Sequence, residues 1–189
     1  MLKAPYPKYD DIQHLDYKLE QMKKEYWIHH DLFSFQWWLL LFILIIPWLI
    51  WLRYVEKKRI MEIVLFGSLL MILVELMDDI GVNLHWWSYP YQLFQAIPRL
   101  TAVDNGIIIV AHMFIFQFFK KWKSFLMANL IMATIFTFIC EPITVWLHIY
   151  KLDHWRYVYS LPIYILKAAL VKWVVERLMT VKNKAIMKS

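Results

Sequence analysis

The sequence predicts an all-α membrane protein, a bundle of about five transmembrane helices preceded by an amphipathic amino-terminal helix. Three observations predict it. Of the 189 residues 61% are hydrophobic, and the mean hydropathy is +0.45, more apolar surface than a water-soluble fold of this size can bury. Apolar runs of about 20 residues recur, and a run of that length crosses the hydrocarbon as a helix, which leaves none of its backbone groups unpaired there. Eleven Trp and eleven Tyr exceed the needs of a core, and such amphipathic rings collect where hydrocarbon meets water.

The first span is placed at 33–52, interrupted by Pro47, and the next two at 60–77 and 101–119. The fourth covers 125–149, with Pro142 inside it, and the fifth 157–178. Together they form a transmembrane domain over 33–180, between a polar tail at 1–32 and a basic tail at 181–189. Because the first apolar run follows a polar stretch and is long enough to span, it is expected to remain as a helix and not to be cleaved as a signal peptide. With the amino terminus outside, Arg53, Lys57, Lys58 and Arg59, then Lys120, Lys121 and Lys123, then the carboxy-terminal bases all fall on the inner side. The outer loops hold only Arg99, Lys151 and Arg156. That distribution predicts a cell-membrane protein with its carboxy terminus in the cytoplasm. The net charge of +6 then reflects topology, and no nucleic-acid partner is expected.

Within the tail, Ile12, Leu15, Leu19, Met22 and Tyr26 follow three-and-four spacing. They predict one apolar stripe on a helix whose other side is charged. The lipid surface is its expected neighbour, and a partner protein the alternative. The three glycines, Gly67, Gly81 and Gly106, do not form GxxxG, so packing is expected to rest on large side chains and not on close backbone crossings.

Two halves of the chain echo each other. Arg59, Glu75, His85-Trp86-Trp87 and Pro90 in the first match Lys123, Glu141, His154-Trp155 and Pro162 in the second. Both would enter the membrane from the same side, which predicts a parallel repeat with a site between the halves.

Ionisable groups at membrane depth cost about 3 kcal/mol each on insertion scales, so each is a candidate for function. Glu75, Asp78 and Asp79 share one helix face, or the two aspartates simply end the helix; Asp104 begins the third span as a site residue or as a cap. Glu141 and His148 sit seven apart on one face of the fourth span, Thr101, Asn105 and His112 make another stripe, and Ser160, Tyr164 and Lys167 form a polar line on the fifth. These residues predict an outward-facing polar pocket for a cation, a proton or a polar head group, with Lys167 as counter-ion to Glu141 or Asp104. A neutral His112 bonded to a nearby carbonyl is the plainer reading of that residue. Lys172 is expected to extend towards the cytoplasmic surface.

No HExxH, paired ExxH, GxSxG, Walker or dinucleotide-binding pattern occurs, and the single Cys140 excludes a thiolate cluster, so no metal or cofactor is expected. Three classes of function remain: a binder, minor transporter or sensor; an accessory subunit; and an enzyme acting on a lipid or isoprenoid through paired Glu75 and Glu141.

The run Trp87-Ser88-Tyr89-Pro90-Tyr91, Asp104, the turn Phe118–Ser124, Glu141-Pro142-Ile143 and the stretch Trp155–Ile165 resemble the CBO0543 family of small integral membrane proteins. The resemblance covers about residues 40 to 178. It implies a multi-pass protein of spore-forming Firmicutes, assigns no activity and no catalytic residue, and leaves the charged amino-terminal tail outside the pattern.

Overall fold

The computed structural model describes residues 6–97 and 99–187; expectations for residues 1–5 and for Lys188 lie outside them. Helix α1 spans Tyr9–Tyr26, with Asp10 and Asp11 in its first turn and Lys23 and Lys24 in its last, signs that suit the helix dipole. Its stripe of Ile12, Leu15, Leu19, Met22 and Tyr26 is exposed, each residue by 47–65%. A π-helical turn, Trp27–Asp31, follows. It ties the tail down: Asp31, 2% exposed, accepts the Gln92 backbone N–H at 3.0 Å, and Trp27 Nε1 donates to the Gln92 carbonyl at 3.0 Å.

Among the described residues four helical rods are long and apolar enough to cross a membrane: Phe35–Tyr54, Lys57–Asn83, Trp122–Trp146 and Tyr157–Ile186. The first is α2, started by Ser34, whose hydroxyl accepts from the Trp37 N–H. The second is a short 3₁₀ turn leading into α3, Ile60–Asn83. The third comprises α5, Trp122–Ile135, a π turn at Phe136–Cys140 and α6, Glu141–Trp146. The last is α7, Tyr157–Ile186. Between α3 and α5 lies a shorter apolar helix, Val103–Phe118, which opens with a π turn at Val103–Ile108 and continues as α4, Ile109–Phe118.

Several expectations need correcting. Helix α3 runs to Asn83, beyond 77, so Asp78 and Asp79 lie within the helix and do not end it. Helix α7 continues to Ile186, absorbing most of the expected basic tail. Residues 147–149 follow α6 as a turn and belong to no span. Pro142 stands just after the π turn; a wide turn absorbs the missing N–H and the ring clash that proline brings to a helix interior.

The core clusters around Ile63, Phe66, Leu70, Met113, Phe116 and Phe125, with Phe66 and Phe116 stacked at 4.3 Å between centroids. Large side chains thus carry much of the packing, as the glycine count suggests. One close backbone crossing nevertheless exists: a Cβ on Gly106 would lie 2.5 Å from the Ile43 carbonyl oxygen. There the π turn meets α2, and the turn leaves the Asn105 carbonyl to accept from Trp48 Nε1 at 2.8 Å. Lys172 reaches towards the α4–α5 turn but is enclosed and not solvated. It is 2% exposed, its Nζ 3.0 Å from the Lys120 carbonyl and 4.6 Å above the Phe125 ring.

The two halves repeat at a constant step of 63 residues. Helix α3 ends with His85 at φ 53° and α6 with His148 at φ 57°. Around each, the same bonds close the helix: Trp86 N–H to Gly81 O and Ile149 N–H to Thr144 O, both at 2.9 Å, with the His N–H bonded to Val82 O and Val145 O. These are matching Schellman caps. The following segments pair as a two-stranded antiparallel ladder, β1 (Trp87–Ser88) with β2 (Lys151–Leu152), in which Ser88 faces Lys151. Those two residues are themselves 63 apart, so a local twofold relation passes through that pair. Helix α3 packs on α4 as α5 packs on α7. The structural step makes Asp78 the counterpart of Glu141 and His85 that of His148, in place of the Glu75 and His154 matches suggested by the motifs.

Candidate functional site

Between the halves, next to the β ladder, lies a cavity of 490 Å³. Its wall is mostly apolar: Leu39, Leu40 and Ile43 from α2, Val103 and Ile107 from the π turn, Ile143 and Leu147 from the α6 side, and Trp86, Trp87 and Trp155 beside the ladder. Ile143 is 48% exposed and Ile107 37% exposed although both line it, so each side chain reaches from the cavity wall to the outer surface of the bundle.

Four of the candidate ionisable residues converge here: Asp78, Asp104, Glu141 and Lys167. They form two repeat-related pairs, since Lys167 follows Asp104 by the same 63 positions that separate Glu141 from Asp78. Asp78 is 6% exposed. Its Oδ1 accepts from Trp87 Nε1 at 2.8 Å and from the Tyr89 hydroxyl at 2.5 Å. Gly81 makes this possible, because a Cβ there would overlap the Trp87 ring. Glu141 accepts from the Ser160 and Tyr164 hydroxyls at 3.1 and 3.2 Å, and Ser160 in turn accepts from Trp155 Nε1 at 3.0 Å. Tyr89 and Tyr150 stack at 5.6 Å. Burial, reinforced by the charge of Asp78 on Tyr89 and by that of Glu141 on Tyr150, holds both phenols well above their ordinary range. They therefore stay protonated and able to donate.

Lys167 is 9% exposed, its Nζ 5.0 Å from the centroid of the Tyr164 ring. It lies in electrostatic reach of Asp104, Asp78 and Glu141. The expected ion pair with Glu141 or Asp104 is nonetheless absent among the described residues; every close ion pair there is made by other groups. The side chain points into space that neither carboxylate fills.

The other candidates lie elsewhere. Glu75 accepts from Asn105 Nδ2 at 2.7 Å and pairs with Arg99 at 3.3 Å, and Asp79 pairs with the same guanidinium at 2.5 Å. Glu75 does not line the cavity, so the expected pairing of Glu75 with Glu141 does not form. His112 is fully buried, with Nδ1 2.8 Å from the Ile108 carbonyl. His148 serves as the α6 cap and lies exposed in the following turn. Among the described residues no three His, Cys, Asp or Glu side chains are grouped to hold a metal ion.

Sequence reasoning missed Tyr89, Trp87 and Tyr150, because only the ladder reveals that these loop residues fold back over the site. Their one sequence signal is the recurrence of aromatics just after two equivalent helix ends. No family model, no curated protein and no solved structure matches this chain.

Proposed function

We propose that this is a non-enzymatic membrane protein, a binder, carrier or sensor, whose cavity takes up a small lipid-soluble molecule bearing a polar end. The single observation that carries the reading is a 490 Å³ apolar cavity in which Asp78, Asp104, Glu141 and Lys167 meet. Ligand sites are apolar hollows with a few convergent polar groups, and charged side chains kept at membrane depth are retained for function. The apolar wall, which at Ile107 and Ile143 also forms the outer surface of the bundle, suits a ligand that comes from the bilayer.

The test is thermal unfolding of the purified protein in mild detergent, with and without an extract of its native membrane lipids, beside Glu141→Gln and Glu75→Gln. A ligand specific to the fold raises the midpoint by mass action. A rise that disappears in Glu141→Gln and persists in Glu75→Gln places the ligand in the cavity. Equal rises in all three proteins defeat the proposal.

A second reading rests on α1. Its apolar stripe is exposed and lies on a helix held to the bundle through Trp27 and Asp31, which suits a surface helix on the bilayer or an accessory subunit meeting a partner. We also propose, on the charge distribution, an amino terminus outside and a carboxy terminus in the cytoplasm, and, on the motifs, that the chain is a relative of the CBO0543 family. Cysteine labelling from each side of sealed vesicles tests the orientation.

A further inference from the structure

Resting on that reading, we infer that the ligand presents a neutral oxygen acceptor, such as the carbonyl of a long-chain ketone or a quinone, to Lys167 and Tyr150. The cavity offers two donor groups that no described residue around it satisfies. Lys167 is more than nine-tenths buried, lines the cavity, and makes no hydrogen bond or close ion pair among the described residues. Tyr150, 9% exposed and also in the wall, has a ring stack with Tyr89 but no hydrogen bond from its hydroxyl there. A buried amine with up to three N–H donors demands an acceptor.

Most of the acceptors nearby are already used or sealed. Asp78 Oδ1 holds Trp87 and Tyr89, and Glu141 holds Ser160 and Tyr164. Asp78 Oδ2 and Asp104 Oδ2 are unpartnered among the described residues but have essentially no accessible surface, which leaves the other oxygen of Asp104 as the carboxylate oxygen still open to a ligand's donor. A ligand rich in donors therefore finds little to bind.

Charge then narrows the choice. A fatty acid would bring a further anion among three carboxylates that already surround Lys167. An amine would be drawn by those carboxylates, yet it brings only N–H donors and a cation to Lys167, whose own donors then stay without an acceptor. A neutral carbonyl accepts from Lys167 Nζ without either penalty, and the aliphatic wall leading to Ile143 accommodates the chain.

The experiment uses the full chain in lipid nanodiscs and four probes of similar length: 2-heptadecanone, palmitate, hexadecylamine and hexadecane. Quenching of tryptophan fluorescence reports binding, since Trp86, Trp87 and Trp155 line the site. The ketone is expected to bind at least about tenfold more tightly than the other three, the worth of one well-made hydrogen bond to a charged donor. Lys167→Met, which keeps the length of the stem, is expected to lose that advantage, and Tyr150→Phe to lose part of it; the second variant serves if the first does not fold. Palmitate or hexadecylamine binding as well as the ketone overturns the inference and leaves the binding function standing. So does a ketone affinity unchanged in both variants. No binding by any probe, together with no midpoint shift from native lipid extract, overturns both.

Discussion

Asp78 and Glu141 occupy the same station in two repeated helices, each seven residues before a histidine that caps its helix in the left-handed conformation. Each also accepts a tyrosine hydroxyl, Asp78 from the following loop and Glu141 from α7. The bonds to Asp78 are the shorter set, 2.5 and 2.8 Å against 3.1 and 3.2 Å. The two carboxylates are thus equivalent in position and unequal in what they hold.

That inequality sets the first prediction. Asp78→Ala strands Trp87 Nε1 and the Tyr89 hydroxyl away from water and is expected to cost about 3 kcal/mol of stability. Asp78→Asn keeps an acceptor oxygen and is expected to cost under about 1.5 kcal/mol. Glu141→Ala, with longer bonds, is expected to fall between them. Denaturant unfolding in detergent ranks the three, and the inverse order for Asp78→Ala and Glu141→Ala refutes the assignment.

Gly106 fixes how closely the π turn approaches α2. A methyl group would sit 2.5 Å from the Ile43 carbonyl oxygen and 2.9 Å from the Leu44 Cα, both backbone atoms that cannot swing aside. Gly106→Ala is expected to cost about 1–3 kcal/mol, where the same change in an exposed helix would stabilise by about 1 kcal/mol. The sign of the change in thermal midpoint decides. The indole of Trp48, bonded to Asn105 O, is expected to report the displacement through its fluorescence.

The helical class was legible because long apolar runs admit little else, and the stripe on α1 because period 3.6 needs only one helix to be read. The site was legible in part. Asp78, Asp104, Glu141 and Lys167 stand out as charges in apolar surroundings, yet the same criterion also selects Glu75 and Asp79, which Arg99 neutralises from a loop. Sequence distance hides that pairing, as it hides Tyr89 and Tyr150. The repeat was visible as a motif echo, but its register was not: His154 resembles His85 in its neighbours, whereas backbone geometry matches His85 to His148. The close crossing at Gly106 escaped a search for GxxxG because one glycine opposite a regular helix is enough.

Asp31 gives the tail a pH dependence. Burial raises its carboxyl above the ordinary 3.8, outweighing the bonds from His30 and the Gln92 N–H that favour the anion. A group whose folded pKa is raised binds more protons folded than unfolded, so its contribution weakens as pH rises from about the unfolded value through the folded one. Docking of the tail is therefore expected to loosen as pH climbs above 3.8. Hydrogen exchange at the Gln92 amide, corrected for its intrinsic pH dependence, is expected to speed up over that window. In Asp31→Asn the corrected rate is expected to stay flat, and a wild-type rate that slows with rising pH contradicts the assignment.

Lys172 separates two pictures of a lysine near the end of a membrane helix. If its ammonium lay in water, truncation to alanine would remove little beyond packing of the stem, and the exposed ion pair with Glu176 would add under about 1 kcal/mol. The structure instead surrounds the ammonium with Phe125, Trp122 and Phe116 at 4.6, 5.4 and 5.2 Å from the ring centroids. It bonds the Lys120 carbonyl at 3.0 Å and pairs with Glu176 at 3.2 Å. Lys172→Ala then opens a hollow among three rings and leaves that carbonyl unpaired, for an expected loss of about 3 kcal/mol. Lys172→Met fills the hollow with a polarizable chain that packs well against rings, and is expected to lose only about 1 kcal/mol. The gap between the two variants in denaturant unfolding therefore measures the enclosure itself. Equal and small losses place the ammonium in solvent, whereas a methionine protein close to wild type beside a weakened alanine protein places it in the aromatic cage.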